Sequence, residues 1–274
     1  MKRIVAAFLL LLTAGCGEKK DQGFLGYVVG EDALIAAPQA GWVAKLAVQR
    51  GQQVKRGDLL FTLDDTREQA ARDSAIASLS LAAAQMNDAK AALALAQKEL
   101  ARQSGLMKAH AGTQQNYDVA KSAYQQAVAR VSQIEAQQKQ AQALLADARY
   151  RLSQRDVTAQ TEGRVEDVYF RQGEYAPAMT PVVSVLPPQN IYVRFFVPET
   201  EFAKMRLGRK VSIVCDACAK NITATVTFIA QQEEFTPPVI FSKGNREKLV
   251  FKLEARAPGG LKLNPGQPVE VHPL

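Results

Sequence analysis

Residues 41–51 read GWVAKLAVQRG, and residues 163–173 read GRVEDVYFRQG. A shift of 122 positions places Ala37 on Ala159, Gly41 on Gly163, Val43 on Val165 and Gly51 on Gly173. The apolar positions around them follow without a gap. Ile35 falls on Val157, Leu46 on Val168, Val48 on Phe170, Leu60 on Val182, Phe61 on Val183 and Leu63 on Val185. Apolar residues in short runs bounded by glycine describe short strands and tight turns. Gly51, Gly57 and Gly173 suit turns that need φ > 0, whereas Gly41 and Gly163 suit strands that cross closely. The chain therefore writes half of a small β domain at 34–65 and the other half at 156–187.

Between these halves the composition changes. No proline occurs from Gln39 to Ala176, and only Gly105 and Gly112 interrupt an Ala/Gln/Leu-rich stretch of strong helix formers at 66–155. Leu79, Met86, Leu93, Leu100 and Met107 recur every seven residues, with Ala82, Ala89 and Ala96 beside them. Beyond Gly112 the row is Tyr117, Tyr124, Val131, Gln138, Leu145 and Leu152, accompanied by Ala120, Ala127, Ile134, Ala141 and Ala148. Sustained heptads indicate a coiled coil. Folding back near 109–114 sets Leu79 against Leu145, Leu93 against Val131, Leu100 against Tyr124 and Met107 against Tyr117. Met86 then faces Gln138, the one mismatch. Each arm of roughly 43 residues, at about 1.5 Å per residue, runs about 65 Å. Alanines off the seam (Ala91, Ala92, Ala94, Ala123, Ala129, Ala143) either serve helix propensity on a solvated face or form a smooth flank for neighbouring copies.

The first residues read as an export leader, 1–15, with Lys2 and Arg3 before the apolar run Ile4 to Leu12. That run is shorter than the roughly 20 residues a membrane-spanning helix needs. It ends in LTAGC, which resembles a bacterial lipobox with Cys16 as the acylated residue, although Thr13 stands where leucine is usual. An ordinary signal peptide that happens to contain a cysteine is the alternative. The formal charge is +7, and removing Lys2 and Arg3 leaves 32 basic against 27 acidic residues. No basic run is interleaved with aromatics, so nucleic acid is not an expected partner.

Cys215 and Cys218 lie in VCDACAKN between strand-like flanks. A zinc site would need further ligands, and only His110 and His272 exist, so no metal site is expected. In an oxidising exported compartment a local disulfide pinning the turn is the expected state. Residues 188–274 are strand-rich after Pro187-Pro188 and suit a β-barrel, with 16–33 supplying an anchor linker and a first strand around GFLGYVV. The expected fold class is α+β, elongated and multidomain: a helical hairpin between two halves of a biotinyl-lipoyl-like domain, plus a C-terminal β-barrel.

This arrangement resembles the HlyD-type membrane fusion proteins, the periplasmic adaptors of bacterial efflux and secretion systems. PQAGWVAKLAVQRGQQVKRGDLLFTLDD and AQTEGRVEDVYFRQGEYAPAMTPVVSV look like the family's two biotinyl-lipoyl halves, and LKLNPGQPVEV resembles its barrel strand motif. The resemblance implies a periplasmic protein held at the inner membrane through lipidated Cys16. Its implied partners are an inner-membrane exporter, a TolC-like outer-membrane channel and further copies in a ring, hexameric by analogy. At the hairpin tip, Arg102, Leu106 and Thr113 match the spacing of the family's Arg/Leu/Ser channel-docking motif, and Tyr117 and Asp118 fall in step. Threonine replaces serine at 113. Read without the family, Leu106 belongs to the seam, Arg102 is a solvated charge and Thr113 caps the second helix. EEFTPPVIFSKGNREKLVFKLEA resembles adaptors of ABC-type exporters more than those of resistance-nodulation-division pumps.

A lipoyl or biotinyl carrier would display its lysine on the turn joining the halves. Here the hairpin replaces that turn, so neither lipoate nor biotin is expected as a cofactor. The adjacent carboxylates Asp64-Asp65 and Glu233-Glu234 come without a nucleophile–base set, and no phosphate-binding glycine pattern occurs, so no catalytic residue is expected. A structural envelope lipoprotein without a transport role shares every fold-level feature and differs only at the tip.

Overall fold

The computed structural model describes residues 23–216, 218, 222–235 and 249–274. The leader 1–15, Cys16 and residues 236–248, which carry much of the exporter-class resemblance, lie outside the described residues.

The first half supplies strands β2 (Ala33–Ala36), β3 (Gly41–Leu46), β4 (Gln53–Val54) and β5 (Leu59–Leu63). The second supplies β6 (Asp156–Thr158), β7 (Gly163–Val168), β8 (Tyr175–Ala176) and β9 (Pro181–Leu186). They form two four-stranded sheets, ordered β2-β9-β7-β4 and β6-β5-β3-β8. Each sheet takes two strands from each half, and exchanging the halves converts one order into the other. The hydrogen bonds repeat with the same symmetry. Gly51 N donates to Val165 O and Gly173 N to Val43 O, both at 2.8 Å. The sequence-matched pairs Ala37/Ala159, Val43/Val165, Leu60/Val182, Phe61/Val183 and Leu63/Val185 all enter one core. Leu60, Phe61 and Leu63 are fully enclosed, each contributing roughly 1.5–3 kcal/mol.

Helices α1 (Thr66–Lys108) and α2 (Gln114–Ser153) form the inserted hairpin. The expected seam residues are the sheltered ones, among them Ala82, Met86, Ala89, Ala120, Ile134, Ala141, Leu145 and Ala148. Met86 and Ala89 pack with Ile134, and Val131 lies against them.

The remaining strands are β1 (Phe24–Gly30), β10 (Ile191–Pro198), β11 (Lys210–Val214), β12 (Ile222–Phe235), β13 (Leu249–Arg256) and β14 (Pro268–Pro273). A short helix, α3 (Glu199–Phe202), follows β10. The C-terminal segment does not close a barrel by itself. Its five strands leave facing edges on β10 and β14, and unpaired edge groups need partners. Strand β1 fills that place, pairing Gly26 with Phe195 on one side and Val269 on the other, which gives the closed order β1-β10-β13-β12-β11-β14. Val28, Val193, Phe195, Ile213, Leu253 and Val271 fill its interior.

Two chain segments join barrel to sandwich. Glu31 N donates to Asn190 O (3.2 Å), and Asn190 Nδ2 donates to Glu31 O (2.8 Å). The Glu31 carboxylate accepts from Tyr192 OH at 3.1 Å and from Arg256 Nη2 at 3.4 Å, and the Arg256 guanidinium sits 4.4 Å from the Tyr192 ring centre. Beside this junction, burial and the nearby Glu166 charge push the Asp32 carboxyl above the usual range, a hydrogen bond from Ser184 opposes them, and Asp167 adds to the rise.

Two substitutions follow from these geometries. Met179 occupies the place of Gly57 in the repeat and shares its left-handed backbone, φ 61° against 93°, with its side chain 78% exposed. Met179→Gly should raise the unfolding free energy by about 0.5–1 kcal/mol, the left-handed penalty of roughly 1–2 kcal/mol less the entropy cost of glycine. Urea titration measures it. Because the folded pKa of Asp32 is raised, its penalty is absent below about pH 3.8 and develops as pH rises through the folded value. Asp32→Asn should therefore raise the urea midpoint at pH 7, with the gain shrinking toward pH 4.

Candidate functional site

The distal end of the hairpin gathers the residues singled out from the sequence. Helix α1 ends at Lys108, Ala109 N donates to Gly105 O and Ala111 N to Leu106 O, and His110 turns the chain at φ 55°. Thr113, in an extended conformation, begins α2, and its Oγ1 accepts from Asn116 N at 3.2 Å. Thr113 is thus a capping residue. Leu106 is not a seam residue: it is 38% exposed, while the neighbouring Met107 turns inward. A Cβ on Gly112 would come within 3.2 Å of Leu106 Cβ, so the turn backs the leucine closely. Arg102 is largely exposed yet held along the helix by Glu99, with Nη2–Oε2 at 2.6 Å. Hydrogen bonds from Gln103, then Arg102, hold the Glu99 carboxyl below its usual range. Asp118 accepts from Gln114 Nε2 at 2.9 Å, and Tyr117 is half-buried in the seam. The tip therefore presents an outward leucine beside an oriented guanidinium and a hydroxyl already used as a cap.

At the other end of the hairpin, Asp64 Oδ1 accepts from Thr66 N (3.0 Å) and Thr66 Oγ1 (2.7 Å), and these bonds lower the Asp64 pKa. Asp65 accepts from Gln69 Nε2. The paired carboxylates open a helix. Next to them lies a feature the sequence reading missed. Glu68 in the first turn of α1 and Arg155 after α2 form a buried ion pair, Nη2–Oε1 2.5 Å, and Arg155 Nη1 donates to Ala40 O at 3.0 Å. A Cβ on Gly41 would stand 2.8 Å from Arg155 Nη1, whereas on Gly163 it would strike the Leu186 carbonyl. Close crossing of strands explains Gly163; Gly41 makes room for a guanidinium. A signal existed. Glu68 extends the Ala82/Ala89 row by two heptads, and Arg155 extends the Ala141/Ala148 row by one.

Cys215 and Cys218 are disulfide-bonded, with Cα atoms 5.3 Å apart, and Gln267 Nε2 lies 3.4 and 3.6 Å from their sulfurs. Among the described residues, no group of three or more His, Cys, Asp or Glu side chains is placed to hold a metal ion. No helix among them is long and apolar enough to cross a membrane.

A sequence profile described as the barrel-sandwich hybrid domain of RND membrane fusion proteins matches residues 32–186, the span from the first sandwich strand to the last. The chain belongs to the membrane fusion protein family. These are adaptor proteins of efflux systems. A membrane protein of Acidithiobacillus ferridurans is 27% identical over 99% of this chain and 95% of its own length. The colistin resistance protein EmrA of Acinetobacter baumannii is 27% identical, covering 84% of this chain and 78% of its own. Against an uncharacterized Haemophilus influenzae relative, also 27% identical, the chain spans only 45% of the longer protein. In fold, MacA from Actinobacillus actinomycetemcomitans superposes with a TM-score of 0.69 at 21% identity, covering 92% of this chain and 77% of MacA.

Removing the cap separates its contribution from any contact that Thr113 makes elsewhere. Thr113→Ala should destabilise the tip by about 1 kcal/mol, whereas Thr113→Ser should leave it nearly unchanged. Amide hydrogen exchange of Asn116 and Tyr117 reads the difference.

Proposed function

We propose that this membrane fusion protein links an inner-membrane exporter to a TolC-like outer-membrane channel, with lipidated Cys16 holding it at the periplasmic face of the inner membrane. The observation that carries the reading is the outward Leu106, set on a rigid arm about 65 Å from the sandwich, flanked by Arg102 and Thr113. An apolar knob beside a guanidinium suits a partner that offers an apolar groove rimmed by carbonyl or carboxylate oxygens. Other apolar residues of the arm are also exposed, Leu81 and Leu95 among them; Leu106 differs in its place at the tip, between Arg102 and Thr113.

The role is mechanical rather than chemical. Copies of the chain assemble in a ring, six by family analogy, and the exposed alanines with Leu81, Leu95, Val119 and Leu144 on the helix flanks supply apolar surface for that contact. The exporter supplies the energy and selects the cargo. Neither lipoate nor biotin has a role, because the hairpin occupies the turn that displays the lysine in carrier domains. Residues 233–255 favour an ABC-type exporter, while the sandwich matches a profile described for RND adaptors. Co-purification of an ATPase-bearing or a proton-driven exporter decides between them.

Relatives are named for resistance to colistin and fatty acids and for macrolide export. A strain lacking this chain should become susceptible to at least one of these compounds. Complementation should be restored by the wild type and by Thr113→Ser, and lost with Leu106→Glu at unchanged protein level. Full export with Leu106→Glu refutes docking at the tip. No susceptibility change on deletion favours the structural envelope role.

A further inference from the structure

We propose that Glu68 and Arg155 are positioning residues, a buried ionic layer that fixes the register of the coiled coil and its direction from the sandwich. The pair completes the coiled coil. The alanine rows of the two helices converge on it, and Ala82, Ala89, Ile134, Ala141 and Ala148 are the buried layers above. A buried polar layer tolerates few registers, because shifting either helix by one residue leaves a charge without its partner. Alanine layers, small and alike, tolerate many.

The same pair ties the arm to the β domain. Arg155 bridges three elements: its Nη2 reaches Glu68 on α1, its Nη1 reaches the carbonyl before β3, and its own carbonyl accepts from Leu63 N of β5 at 2.9 Å. Both side chains are 11% exposed, and Glu68 Oε2 and Arg155 Nε find no hydrogen-bond partner among the described residues. Without Arg155, the Glu68 carboxylate is a buried unpaired charge, relieved most directly by tilting the first turn of α1 toward water. The arm amplifies such a tilt, since about 10° at the root displaces the end of a helix about 65 Å long by about 11 Å. That displacement exceeds the width of any side-chain contact at the tip. The use of this alignment for channel docking rests on the adaptor reading; the alignment itself does not.

Spin labels attached at Lys45→Cys on the sandwich and Lys108→Cys at the end of α1 report the direction of the arm in the full chain. The wild-type pair should give a single narrow distance distribution. Arg155→Met should at least double its width. Because removal of one partner alone also weakens folding, the paired replacement Glu68→Met with Arg155→Met separates the two effects. It should melt close to the wild type yet keep the broad distribution. Arg155→Lys, which retains the charge but not the fork spanning Glu68 and Ala40, should give an intermediate width. A wild-type width in the folded double replacement, or in Arg155→Met, overturns the inference. A broadened distribution with export retained would support the alignment and count only against its use in the adaptor function.

Discussion

Exchange of strands between the two halves is the constraint on which the molecule rests. Neither half can bury its apolar side chains alone, because each sheet sets two strands of one half between two strands of the other. The pairing of β5 with β6, Phe61 beside Val157 and Thr62 beside Asp156, brings the end of the first half next to the start of the second. Whatever is inserted between them must leave and return at one place. A pair of antiparallel helices meets that condition at any length, which explains how a long arm enters a small sandwich without disturbing its core.

The arm itself is modestly stabilised. Many of its seam layers are alanine, and a buried methyl contributes on the order of 0.8 kcal/mol, well below a buried leucine. Close approach of the helices is the gain; loss of specificity is the cost. Specific shape enters through Tyr117, Tyr124, Val131, Ile134 and Leu145, and ionic complementarity enters at the root. Rigidity is therefore greatest where the arm meets the sandwich, and the distal turn depends on local devices such as the Thr113 cap.

The repeat and the heptads were legible because they are local, periodic signals. Strands β7 and β8 begin and end 122 positions after β3 and β4, as the shift requires. The barrel and the strand that 23–29 adds to it were legible too, but the order of its strands was not, since hydrogen-bonded neighbours such as β11 and β14 share no pattern in the chain. The Glu68–Arg155 pair spans 87 positions, and a charged residue at a seam position reads as a departure from the row rather than its end. The backbone at Met179 was hidden for a different reason. Methionine carries no preference for the left-handed region, so only its repeat-mate Gly57 betrays the turn. At the tip, the heptad row placed Met107 in the seam against Tyr117, and Leu106, one position before it, is the residue turned outward.

The pseudo-symmetry fails where the halves meet different neighbours, and those failures mark what each half is for. Trp42 and Arg164 are repeat-mates, as are Gln53 and Tyr175. On one edge, Arg164 pairs with Glu166 at 2.8 Å and donates to Asn264 Oδ1 of the barrel at 3.2 Å. On the opposite edge, Trp42 and Tyr175 meet edge to face at 5.3 Å, both about half exposed. A polar pair suits a junction that must satisfy hydrogen bonds across two domains, whereas the aromatic pair lies beside the root of the hairpin, where Trp42 O accepts from Asp64 N at 2.8 Å. The repeat gives two equivalent edges. One holds the barrel and the other borders the arm, where Gly41 next to Trp42 is bare of a side chain and Arg155 reaches across.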